Sequence, residues 1–317
     1  MKKENEKIAV LIPAYNEEIT IEKVVKDFQA ALPKAEIYVY DNNSKDKTSE
    51  LAKSTGAHVV FECRQGKGNV VRSMFKNIYA DYYIMVDADD TYPANEVEKL
   101  LEPMRNGFAD MVIGDRLSNG TYSNENKRVF HGLGNNIVKN LINKIYDGHF
   151  EDIMTGYRGF TQEFVKTFPV TSAGFEIETE MSIHAMDKHF RLVEVPITYR
   201  DRPEGSESKL NTYADGFRVL KTIFQFFKSY RPMFFFGIIS LFFFILSFVV
   251  GIPVIAEYFE TGFIHKVPSS ILATGLMLLG AISLMLGLAL DSIAKTERKE
   301  YELFSNLIKI QLDKNKK

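Results

Sequence analysis

Asp87 and Asp89 stand two positions apart in the run Tyr83-Ile-Met-Val-Asp87-Ala-Asp89-Asp90, directly after a short apolar segment. A strand that ends in two carboxylates can turn both toward one divalent cation. Mg²⁺ and Mn²⁺ commonly take one or two protein carboxylates and leave the remaining positions to phosphate oxygens and water. The chemistry suggested is the handling of a nucleoside diphosphate. A D-x-D pair alone suits an acidic turn equally well, so its neighbours must decide. VLIPAYNEE (residues 10–18) closes the first apolar segment, and Asp41-Asn42-Asn43-Ser44-Lys45-Asp46-Lys47-Thr48 closes the second. Arg64-Gln65-Gly66-Lys67-Gly68-Asn69 stands directly before a helical stretch. Glycines there permit close backbone approach, Lys67 adds a cation, and a helix N-terminus favours an anion. The spacing is not that of a P-loop, and no G-x-G-x-x-G opens the first helix, which argues against ATPase, kinase and dinucleotide chemistry.

These residues need a scaffold, and the sequence alternates strand and helix signals to supply one. Strands are expected at residues 8–12, 37–40, 59–61, 83–86 and 111–113. Helices are expected at 18–31, 47–54, 68–79 and 95–104. That rhythm predicts an α/β domain with a mainly parallel sheet covered on both faces. Ligands of such sheets bind beyond the carboxyl ends of the strands, where the chemical residues fall.

The chain changes character after Tyr230. Residues 233–256 and 267–290 carry no ionisable side chain, and each exceeds the ~20 residues that cross a bilayer core. Lys221, Lys228 and Arg231 flank one end of the pair, and Lys295, Arg298 and Lys299 the other, against Lys266 in the connector. The excess of cations predicts a cytoplasmic catalytic domain and tail. The expected organisation is a catalytic domain over 1–210, an amphipathic juxtamembrane helix over 211–232, spans at 233–256 and 267–290, an external connector at 257–266 and a cytoplasmic tail at 291–317. Phe217, Leu220, Ile223, Phe224 and Phe227 set the apolar face of the juxtamembrane helix, which suits a membrane interface or packing against the domain.

Taken in order, the PAYNEE, DNNSKDKT, RQGKG and DADD segments resemble the GT-A fold of the inverting family 2 glycosyltransferases. The likeness is to the polyprenyl-phosphate hexose synthases, the group of dolichyl-phosphate mannose synthases and bactoprenol glucosyltransferases, and covers residues 8–209. It implies that Pro13, Ala14, Tyr15, Glu17 and Asp41 hold the nucleoside of a UDP-sugar. Asp87 and Asp89 would hold Mg²⁺ or Mn²⁺ and the diphosphate, with Lys67 as the nearby cation. Arg116, in Ile113-Gly114-Asp115-Arg116, and Arg128 match arginines placed near a lipid phosphate. Asp152-Ile-Met-Thr155-Gly156-Tyr157-Arg158 matches the segment lining the sugar, where Asp152 would orient sugar or acceptor. Arg202, Ser208 and Lys209, in the loop of residues 200–209, match a phosphate clamp. The resemblance further implies a polyprenyl (undecaprenyl) phosphate acceptor, a role in cell-envelope glycan modification and a homo-oligomer, a tetramer. Glucose or N-acetylglucosamine is the favoured sugar. The chain departs from the family's D-D-G-S at Asn42 and Asn43, and Asp115 replaces a small residue.

The rest of the composition narrows the alternatives. A formal net charge of -2 provides no basic field for nucleic acid. The single cysteine, Cys63, excludes an intrachain disulfide framework. The histidines lack metal-ligand spacing and read as surface or packing residues. A sugar-acceptor polysaccharide synthase is disfavoured because the chain has no Trp, hence no Q-x-x-R-W, and two spans are few for a translocation channel. A non-catalytic nucleotide-sugar scaffold is disfavoured by the intact acidic and basic motifs. A transporter would need ionisable groups at membrane depth.

Overall fold

The computed structural model describes residues 6–118, 139, 143, 150–205, 221 and 223–315. It comprises two units, Met1–Ile223 with Ser305–Lys317, and Phe224–Phe304. In the first unit, β1 (Ile8–Ala14) is flanked by β2 (Glu36–Asp41) and β4 (Tyr82–Met85), both parallel to it. Val10, Leu11 and Ile12 are fully buried, as an unbroken apolar run in a strand covered on both faces must be. β3 (His58–Phe61) extends the parallel set beyond β2. The crossovers are α1 (Ile21–Ala31), α2 (Thr48–Ser54) and α3 (Lys67–Asn77). Helix α1 buries Ile21, Val24, Val25 and Phe28, one face at helical spacing. It starts later than the expected residue 18; the preceding turn is fixed by Glu17 and Glu18, whose N–H groups donate to Thr48 and Asp46.

The other side of the sheet holds α4 (Val97–Arg105), β5 (Met111–Asp115), β6 (Arg158–Thr161), α5 (Gln162–Thr167), α6 (Ile177–Asp187) and β7 (Leu192–Pro196). The strand order is β3-β2-β1-β4-β6-β5-β7. β6 is antiparallel to both its neighbours, whereas β5 and β7 are parallel. The expected α/β sheet, mainly parallel, is therefore present, with one reversed strand too short to register as a pattern. The reversal has a positional consequence. Met85 pairs with Arg158, so the chain entering β6, residues 152–157, lies beside the carboxyl ends of β4 and β5.

The second unit contains α7 (Pro232–Thr261) and most of α8 (Val267–Asn315). Both are long and apolar enough to cross a membrane. Ser240 Oγ donates to Gly280 O and Ser247 Oγ to Ala273 O, each at 2.8 Å. A Cβ at Gly280 would overlap the Phe244 ring. Small residues and hydroxyl-to-carbonyl bonds thus join two helices whose outer faces, with Phe242, Ile245 and Leu278, stay exposed. Helix α8 runs unbroken to Asn315, through most of the segment expected as a cytoplasmic tail. Residues 223–230 are helical, while 211–220 and 222 of the expected juxtamembrane helix lie outside the described residues.

Candidate active site

The loops after β1 and β2 are stitched into one surface by reciprocal bonds. Asn16 N donates to Ser44 Oγ at 2.9 Å, and Lys45 N donates to Asn16 Oδ1 at 2.8 Å. Glu17 N meets Thr48 Oγ1 at 2.8 Å, Glu18 N meets Asp46, and Lys47 N returns to Glu18 Oε2. Asn16 and Asn43 have positive φ, 53° and 64°, a region that asparagine tolerates better than most residues. Pro13 and Ala14 end β1 itself, with Tyr15 half-buried just beyond. Asp41 is buried and accepts Ser44 N at 3.0 Å.

Asn42 explains its own departure from the family pattern. Its amide donates to Glu62 O at 3.1 Å and Arg64 O at 2.7 Å, and its oxygen accepts Gly66 N at 2.7 Å. An aspartate has no amide hydrogens for those two carbonyls. Asn42 therefore ties the β2 loop to the glycine loop that carries Lys67.

Asp87 and Asp89 lie just past β4, and each is ion-paired. Lys67 Nζ stands 2.5 Å from Asp87 Oδ1 and 2.5 Å from Glu178 Oε1. Burial works against the Lys67 ammonium, but Asp87 and Glu178 outweigh it and raise its pKa. Burial pushes the Glu178 carboxyl up, against the pull of Lys67. Arg202 Nη2 stands 2.5 Å from Asp89 Oδ2, and its Nη1 lies 3.6 Å from Glu17 Oε1. Thr91 donates its hydroxyl to Asp89 Oδ1 at 2.6 Å. Burial, then the charge of Asp87, raises the Asp89 carboxyl despite Arg202 and Thr91. Asp90, at φ 60°, turns away to Lys23 at 2.7 Å. A Cβ at Gly156 would overlap the Asp87 carboxylate, so the loop before β6 closes on the pair.

The cluster of Asp87, Asp89, Glu17 and Glu178 with Lys67 and Arg202 has two formal negative charges in excess. Among the described residues no group of three or more His, Cys, Asp or Glu side chains could enclose a metal. The donor set fits a hard divalent cation held by Asp87 and Asp89 and completed by phosphate oxygens, the common Mg²⁺ arrangement.

A second charged pair borders the first. Arg116, just after β5, grips Asp152 with two parallel bonds, Nε at 2.6 Å and Nη2 at 2.9 Å. Arg116 also lies 5.5 Å from the Tyr199 ring centre. Asp152 is fully buried, and Glu194 accepts its backbone N–H at 3.1 Å. The unusual Asp115 caps the turn after β5, accepting Leu117 N at 2.8 Å and the Ser118 hydroxyl. Arg158 is fully buried and donates to Thr155 O at 3.0 Å, Ile153 O at 2.5 Å and Ser182 Oγ at 2.9 Å. Burial brings its pKa down to about 10. Arg158 thus shapes the loop from within.

The structure brings Glu17, Lys67, Asp87, Asp89 and Arg202 into one charged cluster and joins Arg116 to Asp152. Arg128, Ser208 and Lys209 lie outside the described residues. One expectation is corrected. The N-terminus of α3 is not open to an anion, because Gly68 N donates to Gly174 O at 3.2 Å and Asn69 N to Ala173 O at 3.3 Å. Gly66 and Gly68 admit the chain's own backbone, and a Cβ at either would overlap residues 172–173. Sequence reasoning missed Glu178 and its helix. Glu176, which caps α6, accepts Gly174 N at 3.0 Å, and Glu180 within the helix accepts Ser172 N at 2.8 Å. The available signal was three alternate glutamates in an otherwise apolar stretch.

This is an α/β architecture with a cluster of paired carboxylates and cations at the carboxyl edge of its sheet. The pattern of Glycosyl transferase family 2 matches residues 9–168. Glycosyltransferase AglJ of Haloferax volcanii is 33% identical over 304 residues, 95% of this chain and 98% of that protein. The chain belongs to glycosyl transferase family 2. The dolichyl-phosphate hexose transferase of Haloferax volcanii is 30% identical, covering 68% of this chain and 92% of that protein. The crystal structure of glucosyl-3-phosphoglycerate synthase from Mycobacterium tuberculosis with uridine diphosphate has a similar fold. Its TM-score is 0.59 at 21% identity, over 70% of this chain and 80% of that one.

Proposed function

We propose that this glycosyltransferase moves a hexose, glucose or N-acetylglucosamine, from a UDP-sugar to the phosphate of a polyprenyl phosphate. The observation that carries the reading is the Asp87–Asp89 pair, flanked by Lys67 and Arg202, beside the interlocked β1 and β2 loops. The acceptor is supported by similarity to a dolichyl-phosphate hexose transferase, and the donor by the binding of uridine diphosphate in a protein of similar fold. Two helices long enough to span a bilayer suit a lipid acceptor met at the cytoplasmic face of the cell membrane.

In this reading a phosphate oxygen of the lipid attacks the anomeric carbon, the bond from that carbon to the diphosphate breaks, and UDP departs with the bonding electrons. The phosphate is already anionic near neutrality, so no hydroxyl proton need be removed. Asp87 and Asp89 would hold a divalent cation, Mg²⁺ or Mn²⁺, which would neutralise charge on the diphosphate; Lys67 and Arg202 add positive charge at the same edge, and the β1–β2 surface holds the nucleoside. Arg116 is the cation for the acceptor phosphate, oriented by Asp152. In-line displacement inverts the anomeric carbon.

The test is a donor screen with purified full-length protein, undecaprenyl phosphate and Mn²⁺ or Mg²⁺, comparing UDP-glucose, UDP-N-acetylglucosamine and GDP-mannose. The expected product is a lipid-linked monophosphate sugar. Transfer to free sugars or glycans with none to lipid phosphate would overturn the acceptor assignment.

A further inference from the structure

Lys67 is shared by two carboxylates of different standing. Asp87 sits at the edge of the donor site with its side chain 28% exposed, whereas Glu178 is 6% exposed and Lys67 10%. Glu178 opens α6, a helix enclosed over Ile177, Glu178, Thr179, Glu180 and Met181. The helix is held from its own N-terminal side by Glu176 and Glu180, which bind the backbone of residues 171–174. That same backbone packs against Gly66 and Gly68 on either side of Lys67. Both ends of the Lys67–Glu178 pair are therefore anchored to one rigid corner, and Asp87 is the more accessible partner.

We propose that Glu178 is a positioning residue that sets how readily Asp87 is yielded to a divalent cation. The inference rests on the donor-site reading above. When a cation takes Asp87, the ammonium loses one counter-charge. A buried ammonium left without a partner is strongly unfavourable. Glu178 supplies the remaining partner, so Asp87 can be released without stranding Lys67. Removing the charge of Glu178 binds Lys67 more firmly to Asp87 and also leaves the cluster one negative charge poorer.

The experiment titrates Mn²⁺ into the full-length protein in detergent, followed by electron paramagnetic resonance, first without nucleotide and then with UDP. Without nucleotide, Glu178→Gln weakens Mn²⁺ binding roughly 10- to 100-fold, the usual effect of altering a group behind a metal ligand. Lys67→Met strengthens it, and the double variant Lys67→Met/Glu178→Gln returns near the wild type, since it removes one charge of each sign. A purely structural role for Glu178 would leave the double variant as impaired as the single one. Equal Mn²⁺ affinity of Glu178→Gln and wild type overturns the inference. If Glu178→Gln does not fold, Lys67→Met still decides: unchanged or weaker Mn²⁺ binding overturns it. UDP must also tighten Mn²⁺ binding by the wild type. Its failure to do so would sink the donor-site reading and the inference with it, an outcome distinct from parity of the variants.

Discussion

At the scale of single residues, the site is built from charges that already have partners. Asp89 carries Arg202 on one oxygen and Thr91 on the other. Asp89→Asn should lower sugar transfer by at least about 100-fold, because metal-assisted charge stabilisation is worth several kcal/mol. The melting temperature in detergent should stay close to the wild type. Near-normal turnover at limiting metal would remove Asp89 from the proposed role. His184 offers a separate test, away from the chemistry. It is buried against Phe164, Phe168 and Phe190. Burial, reinforced by Lys188, pulls its pKa from 6.5 down to about 3. Between those values the unfolded chain binds a proton that the folded chain refuses, so stability falls as pH drops from 6.5 toward 3. Thermal melts of His184→Leu against wild type should show a smaller loss over that window. Parallel curves would mean that His184 is not buried neutral.

At the scale of elements, three loops at the carboxyl edge act as one body because side chains of one bind the backbone of the next. Asn42 is the clearest link, with two carbonyls and one N–H of the glycine loop on its amide. Asn42→Asp keeps the acceptor and loses both donors, setting a buried carboxylate against two carbonyl oxygens. Losing those bonds should cost about 1–3 kcal/mol and raise the donor KM more than it lowers kcat. Unchanged donor KM would separate Asn42 from the Lys67 loop. The motifs themselves were legible because their residue types are unusual for strand ends. Glu178 was not, because α6 is buried on nearly every side and so lacks the amphipathic stripe that makes a polar position stand out.

At the scale of the molecule, the apolar helices and their flanking cations predict both termini on the cytoplasmic side. In a background with the exposed Cys63 replaced, a cysteine at Gln311 should resist an impermeant maleimide in intact cells, while one at His265 should react. Labelling at Gln311 with protection at His265 would reverse the orientation. Helix α8 continues to Asn315, beyond the expected end of its span at residue 290. Charged residues after Asp291 keep a helical period, and a helix needs no apolar face all round once it leaves a membrane.

The sequence by itself determined the α/β alternation, the strand-end placement of Asp41, Asp87 and Asp89, and the two apolar segments. Each is a local matter of residue type and period along the chain. Only the tertiary structure decided which charges meet. Reversed β6 brings residues 152–157 beside β4, so Gly156 closes on Asp87 and Asp152 meets Arg116. Helix α6 delivers Glu178 to Lys67, and the segment after β7 delivers Arg202 to Asp89. These pairings join residues far apart in the chain, and no local period encodes them. They follow from strand order and from the need of each buried charge for an opposite one.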